Sequence, residues 1–592
     1  MSTITLSVDG EKVSVAPGTT ILEAAQSLGR NIPTLCYLKD VQAIGACRVC
    51  LIEVEGAKTL VSSCVMPVTE GMKVHTNSKR VRNARKMVVE LLLSDHGGEC
   101  QTCVRNEDCE LQAVARELGI RDITYPGEKS RGFIDSSTPA LERDTAKCIL
   151  CRRCVTVCRE TQGVGGLFPQ NRGFDTVVGP AFAHPLDEVV CVQCGQCGAV
   201  CPVGAIVEHD QIAEVWAALE DPTKTVVVQT APAIRAALGE CFGLEPGTLV
   251  TGKMVSALRR LGFDGVFDTN FTADLTIIEE GTELLMRLKK ALVDKQPVAL
   301  PQFTSCSPGW IKFMEYYYPD MLDCVSTCKS PQQMFGAIAK TYYAEKIGKK
   351  NEDMFVVSIM PCTAKKFEAQ RPEMDDSGVR DVDVVLTTRE LGRMIKQAGI
   401  DFTSLPDDTM DSPIGLSSGA ADIFANTGGV MEAALRTVYE LVTGKPFPFE
   451  NLHVAPIAGL EGVKEASVLI TETVPEWAFL KGVTVKLAVA HGLGNAKKVI
   501  EAVRSGKAEY HFIEIMTCPG GCIGGGGQPR FTTNDVRRAR ISAIYKEDEG
   551  KQLRKSHENP FIKQIYDEFL GKPLGEKSHK LLHTHYHERS KV

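Results

Sequence analysis

Cysteines at short, fixed spacings carry the most chemistry in this chain. Cys148-x2-Cys151-x2-Cys154-x3-Cys158 is followed by Cys191-x2-Cys194-x2-Cys197-x3-Cys201-Pro202. Such paired runs hold two [4Fe–4S] clusters, the fourth cysteine of each run ligating the other cluster. One cluster then takes Cys148, Cys151, Cys154 and Cys201, and the other Cys191, Cys194, Cys197 and Cys158; Arg159 stands where the first run lacks a trailing proline. Upstream, Cys36, Cys47, Cys50 and Cys64 offer four thiolates suited to a [2Fe–2S] cluster, with zinc as the alternative for a four-cysteine site containing one CxxC. Between the two groups, His96, Cys100, Cys103 and Cys109 supply an imidazole and three thiolates for a further [4Fe–4S] cluster. Imidazole in place of thiolate removes a negative charge and raises a cluster's potential.

The 592-residue chain holds 22 cysteines, 15 of them within residues 36–201. Disulfide frameworks belong to short secreted domains, so this density means metal in a reducing compartment. Net charge is −7, from 67 basic and 74 acidic residues, which argues against nucleic acid as a main partner. No apolar run approaches the roughly 18 residues of a membrane span, and MSTITLSVDGEKV is no signal peptide. The expectation is a soluble, cytoplasmic protein with no nucleic-acid or membrane partner.

The elements that must position these ligands are legible from periodicity. TITLSVDGEKVSV alternates about Asp9-Gly10 and predicts a hairpin, and Thr20 caps a helix that stops at Gly29. With the cysteine-bearing loops, this predicts a β-grasp [2Fe–2S] ferredoxin module over 1–78. Helical residues 79–95 lead into a His-ligated [4Fe–4S] module over 79–120, and the polar stretch 121–140 reads as a linker. Residues 141–210 carry a duplication 43 residues apart and form a bacterial two-cluster ferredoxin module. From 222 to 535, runs such as TVVVQT, FVVSIM and VDVVLTT alternate with helical stretches, the pattern of a large α/β domain with buried, mostly parallel strands. Residues 536–592 form a helical C-terminal segment whose His-rich tail, HTHYH, is expected to be solvated. The fold class is therefore multidomain, α+β and α/β.

A relay of four clusters needs a terminus. Residues 221–592 hold Cys241, Cys306, Cys324, Cys328, Cys362, Cys518 and Cys522, within segments that include TSCSPGW, MPCTAKKFE and EIMTCPGGCIGGGG. Cys362 follows a buried strand, at the end where open α/β sheets place ligands. Two glycines between Cys518 and Cys522 let backbone approach a cluster closely. These three segments resemble the signature motifs of the [FeFe]-hydrogenases. The similarity runs over nearly the whole chain and is closest to catalytic subunits of multimeric NAD(P)-linked hydrogenases. QTAPA, FTADLTIIEEGTE, KSPQQMFG and SGAADIFANTGG accompany the motifs.

The resemblance implies reversible oxidation of H2 at an H-cluster, a [4Fe–4S] cubane joined by a cysteine sulfur to a dinuclear iron unit with CO, CN and azadithiolate ligands. The cofactors it implies are one [2Fe–2S], three accessory [4Fe–4S] and one H-cluster. Cys362, Cys518 and Cys522 match cubane ligands, Cys522 as the bridging one, and Lys365 matches the lysine that holds a cyanide. Ala231, Pro232, Pro331, Gln332, Met360, Phe424 and Met516 match the pocket around the dinuclear iron. Cys306, Glu280, Ser326 and Glu283 match a proton path with Arg287 near its mouth; Glu280 and Glu283, spaced i, i+3, share a helix face. The C-terminal segment is similar to the family's small subunit.

One position departs. Cys306-Ser307 stands where the family has two adjacent cysteines, the second a cubane ligand. A serine oxygen is a poor iron–sulfur ligand, so the fourth ligand is open between Ser307, Cys306 and Cys328. The implied partners are H2 and protons, ferredoxin, and a flavin- and NAD(P)-binding subunit in a hetero-oligomer, because no GxGxxG follows a strand here. A pure electron-transfer subunit would need neither Cys362, Cys518 and Cys522 nor Lys365. An iron–sulfur assembly factor would need no Glu280/Glu283 relay.

Overall fold

Asp9 and Gly10 both take positive φ, 50° and 90°, the geometry of a two-residue hairpin turn. The turn joins β1 (Ile4–Val8) to β2 (Glu11–Val15), with Ile4 opposite Val15. The computed structural model describes residues 3–125, 127–130, 132–412, 414–448 and 462–591. β3 (Leu51–Val54), β4 (Val61–Ser62) and β5 (Lys73–His75) complete a sheet of order β2-β1-β5-β3-β4, with β5 parallel to β1. The helix Ile21–Ser27 opens on a capping box, Thr20 and Glu23 each bonding the other's backbone amide. It buries Ile21, Leu22, Ala24 and Ala25 against Leu6, Val8, Ile52 and Val74 of the sheet.

The helix Lys79–Asp95, capped by Ser78, leads to the His96 loop and the short helix Glu110–Glu117. The stretch 121–140 is not wholly a linker. Within it β6 (Ile134–Asp135) pairs with β7 (Leu141–Asp144), which also pairs with β10 (Ile206–Glu208). The polar character that suggested a linker is structural: the Asp135 carboxylate accepts from Ser137 N, Leu186 N and Arg143 Nη2, each at 3.2 Å. A small hairpin of β8 (Phe168–Gln170) and β9 (Val177–Gly179) separates the two cysteine runs.

The remainder is α/β. β11 (Thr225–Thr230), β12 (Gly265–Asp268), β14 (Met354–Met360) and β15 (Val384–Thr387) form an all-parallel sheet of order β12-β11-β14-β15. β13 (Gln302–Phe303), β16 (Val463–Leu469), β17 (Thr484–His491) and β18 (Phe512–Met516) form a second, of order β13-β18-β17-β16, with only β16 antiparallel. The valine-rich strands are buried on both faces, hence their continuous apolar runs. Four strands deliver their C-terminal ends to one place: β11 ahead of Ala231, β13 ahead of Cys306, β14 ahead of Cys362 and β18 ahead of Cys518. The molecule is thus a mixed α/β multidomain protein.

The C-terminal tail is not solvated as its composition suggested. His583 is only 4% exposed, and Tyr586 donates to Ser326 O at 3.0 Å. The Arg589 guanidinium lies 2.5 Å from Glu315. Glu279 and Glu315 are fully buried carboxylates, which need donors to stay in the interior; the tail bonds both, beside the Arg371 guanidinium that also holds Glu315. His585 and His587 do face solvent. No described helix is long and apolar enough to cross a membrane.

Candidate metal centres and active site

In the N-terminal module the four cysteine loops converge. Cys50 Sγ lies 3.4 Å from Cys64 Sγ, and Cys36 bonds to both Cys47 and Cys64. These S–H···S contacts pull the Cys36 and Cys50 thiols down and push Cys47 and Cys64 up. Three separate cavities are lined by the remaining sets. Cys148, Cys151, Cys154 and Cys201 share one, Cys158, Cys191, Cys194 and Cys197 a second, and His96, Cys100, Cys103 and Cys109 a third. The exchange of Cys158 and Cys201 between cavities comes from the short helices Arg153–Thr156 and Gln196–Ala199 folding as a pseudo-symmetric pair. Burial lowers the His96 pKa, and its buried Nδ1 has no hydrogen-bond partner. A neutral ring with a free nitrogen, aimed into a cavity with three thiols, fits a cluster ligand.

The centres are tied together by side chains that spacing did not flag. Gln42 Nε2 donates to Cys36 O at 2.7 Å and Cys151 O at 3.1 Å, joining the first module to the Cys148 set. Arg105 Nη1 donates to Cys201 O and Val203 O, at 2.8 and 3.0 Å, joining the His96 set to the same centre. At the far side Gln196 Nε2 donates to Gly524 O at 2.8 Å, and Thr363 Oγ1 to Gln193 O at 2.7 Å. Burial, and next the nearby Cys518, push the Cys194 thiol up. A Cβ on Gly526 would come within 2.1 Å of Cys194 O, so only glycine permits this approach.

Cys362, Cys518 and Cys522 come together where the strand ends meet. Burial pushes all three thiols up, and each of Cys518 and Cys522 is raised further by Cys362. Gly521 holds φ +93°, and a Cβ there would lie 2.6 Å from Thr427 N. Three converging thiols on glycine-rich backbone, next to the Cys194 loop, fit a cubane. Lys365 Nζ reaches Cys306 O at 3.1 Å and Glu368 Oε2 at 2.8 Å. Glu368 also accepts from Ser330 Oγ at 3.0 Å and Gln332 Nε2 at 3.2 Å. Phe424 and Met516 pack with Cys306 and Cys522 in one apolar cluster. Ala231, Pro232 and Met360 follow or end β11 and β14, and Pro331-Gln332 opens the helix Pro331–Ile338 beside Lys365.

A second set of buried groups leads away from Cys306. Burial and the Glu283 charge push Glu280 up to about 8, and Glu280 in turn raises Cys306. Glu280 Oε1 is buried without a partner. Ser326 Oγ donates to Glu283 Oε2 at 2.6 Å, and Arg287 Nη2 lies 2.6 Å from Glu283 Oε1. Both glutamates project from the helix Asn270–Leu292. Cys328 does not join the three thiols: its neighbours are Ser326, Glu279, Glu280 and Glu283. Ser307 Oγ is 2.6 Å from Thr517 Oγ1, beside Cys518. Of the three candidates for a fourth ligand, Ser307 and Cys306 lie beside the three thiols and Cys328 does not. Glu368, Gln196 and Gln42 were missed by the sequence reading. The i, i+3 spacing of Lys365 and Glu368 was a usable signal for the first, and nothing local marked the others.

Comparisons with known proteins follow the same divisions. Residues 224–526 match the family described as iron only hydrogenase large subunit, C-terminal domain, and residues 534–589 match iron hydrogenase small subunit. Residues 1–79 match a 2Fe-2S iron-sulfur cluster binding domain, 85–124 the NADH-ubiquinone oxidoreductase-G iron-sulfur binding region, and 147–205 a 4Fe-4S dicluster domain. The chain is 53% identical to the NADP-reducing hydrogenase subunit HndD of Solidesulfovibrio fructosivorans, over the full length of both. It is 39% identical to iron hydrogenase 1 of Clostridium pasteurianum, over 98% of this chain and 99% of that one. A solved variant of [FeFe]-hydrogenase HydA1 from Chlamydomonas reinhardtii superposes with TM-score 0.58 at 46% identity, covering 64% of this chain and 99% of that one.

Proposed function

This chain belongs to the iron-only, or [FeFe]-, hydrogenases, and on that premise we propose that Cys362, Cys518 and Cys522 hold an H-cluster at which H2 is reversibly oxidised to protons and electrons. When bound, that cofactor supplies heterolytic cleavage of H2. The observation that carries the reading is the convergence of these three thiols with Lys365 and Cys306 at the carboxyl ends of β11, β13, β14 and β18.

The chain's own residues then do the positioning and the proton transfer. Lys365, held by Glu368, presents a buried ammonium donor toward the site, where low dielectric strengthens its hydrogen bonds. Ala231, Pro232, Pro331, Gln332, Met360, Phe424 and Met516 wall the reacting centre and exclude water. Cys306 exchanges protons with Glu280, which is an acid at neutral pH because its pKa is pushed up to about 8. Ser326 connects onward to Glu283. Ser307 would fill the fourth cubane position, which leaves Cys306 free for the proton. Clusters held in the Cys194 and Cys148 cavities would carry the electrons onward, and both N-terminal sets flank the second of these. In this reading the 1–78 module carries [2Fe–2S], the 79–120 module a His96-ligated [4Fe–4S], and the 141–210 module two [4Fe–4S] clusters.

The Solidesulfovibrio relative is named a subunit of an NADP-reducing hydrogenase. By analogy this chain works in the cytoplasm within a hetero-oligomer, exchanging electrons with ferredoxin or, through a flavin-bearing partner subunit, with NAD(P). Infrared spectra of protein matured in its host test the core of the reading. Fe–CO and Fe–CN stretches are expected, and their absence would end it. Co-purification, followed by H2-dependent NAD and NADP reduction with and without ferredoxin, tests the partners.

A further inference from the structure

Arg287 closes the outer side of Glu283. Its Nη2 bonds Glu283 Oε1, and its remaining contacts are the carbonyls of Ala299, Asp323 and Val325, at 2.9 to 3.1 Å. A guanidinium has donors only and stays protonated, so it neither takes a proton from Glu283 nor passes one on. Another group that can do both approaches the same carboxylate. A ring nitrogen of His583, a Glu283 oxygen and Cys328 Sγ lie within 4.8 Å of one another, all buried. His583 Nδ1 is 2.8 Å from Thr327 Oγ1, and Nε2 is 3.2 Å from Glu279 Oε2. The Thr327 amide donates to both Glu283 oxygens, at 3.4 and 3.3 Å. Backbone bonds from Lys329 N to Leu582 O and from Thr584 N to Thr327 O, at 2.8 and 2.7 Å, pin the tail to this loop. The His583 ring stacks on His579, centroids 4.6 Å apart at 4°, and His579 is exposed.

We propose that His583, delivered by the C-terminal segment, is a proton port that passes protons between Glu283 and Glu279, the carboxylate its Nε2 already bonds. The proposal rests on the reading that Glu280, Ser326 and Glu283 form the proton path. During H2 oxidation the ring takes the proton from Glu283 while Nε2 releases its own to Glu279 Oε2. One proton enters, one leaves, and no electron moves. The ionisable groups facing the ring are Glu279 and Glu283 from the long helix, Cys328 from the loop before Pro331, and His579; Tyr566 donates to Glu279 Oε1 at 2.5 Å, and Glu280 lies beyond Cys328. The same three donors could hold a divalent cation. Nε2 donates to Glu279 and Nδ1 accepts from Thr327 Oγ1, however, so the ring has no free lone pair for a cation.

The test uses full-length, cofactor-loaded protein, with loading checked by iron content and infrared bands, and reads H2/D2O isotope exchange, which requires no electron transfer. His583→Ala should slow exchange about tenfold, a modest general acid–base effect, and added imidazole should restore it. His583→Gln keeps a hydrogen-bonding side chain in place and should show the same loss if the alanine variant folds poorly. Unchanged exchange in both variants, or a loss that imidazole does not repair, would overturn the port. Glu283→Gln is measured alongside. If it suppresses exchange while the His583 variants do not, the port fails and the path stands. If it leaves exchange intact, the path reading fails and the port falls with it.

Discussion

The N-terminal arm and the catalytic half gather their functional groups in different ways. In the arm the widest cysteine set lining one cavity, Cys148 to Cys201, spans 53 residues, and the His96 set spans 13. In the catalytic half, Glu280, Cys306, Cys362, Cys518 and His583 are spread over 303 residues and meet only because strand ends and a C-terminal tail converge. On the proposed function, the two cargoes explain the contrast. Electrons cross between centres without a bonded path, so each cluster needs only its own local cage. Protons move along hydrogen bonds between groups of matched pKa, so one displaced side chain interrupts the route.

That contrast can be broken experimentally. Cys362→Ala should have the largest effect: H2 turnover and the Fe–CO and Fe–CN bands disappear, while the paramagnetic signals of the N-terminal clusters persist. Loss of those signals too would mean that the arm depends on the catalytic half after all. Glu280→Gln should come next, lowering turnover by about 10²–10⁴ with the cofactor still loaded. The wild type carries a matching pH signature. Glu280 is protonated in the folded protein up to about 8, against an ordinary value of 4.5. Below 4.5 both states hold the proton; above it the unfolded state loses its proton first. This carboxyl therefore costs stability as pH rises from about 4.5 to about 8. H2 production should decline as pH rises through about 8, and thermal melts across that range should show a shallower fall for Glu280→Gln than for wild type. His96→Cys should be the mildest. An added negative charge lowers that cluster's potential by on the order of 100 mV, read by redox titration, with turnover changed less than about tenfold. A larger drop in turnover would show that the arm's potentials, and not its cages alone, limit the enzyme.

The arm was legible because ligand spacing is a local property. CxxC runs, the Asp9-Gly10 turn and the Thr20 cap act within a few residues of themselves. Some of the catalytic half was legible for the same reason: Cys362 ends a buried strand, and Glu280 and Glu283 sit three residues apart on one helix. The 134–135 strand, the tail and Cys328 were not. Ile134 and Asp135 gain their order from β7, and Cys328, a candidate ligand by its neighbours in sequence, faces Glu283 instead.

By itself, then, the sequence determined which thiols form sets, the order of the modules, the family, and the missing cysteine at Ser307. Only the tertiary structure decided that two N-terminal centres flank one common centre through Gln42 and Arg105, and that the C-terminal tail is part of the interior. The reason is electrostatic. Folding the two sheets and the long helix buries Glu279 and Glu315, and a buried carboxylate must find donors wherever the chain can bring them. His583 and Arg589 answer that demand from more than 270 residues away, a distance at which no periodicity or spacing carries a signal.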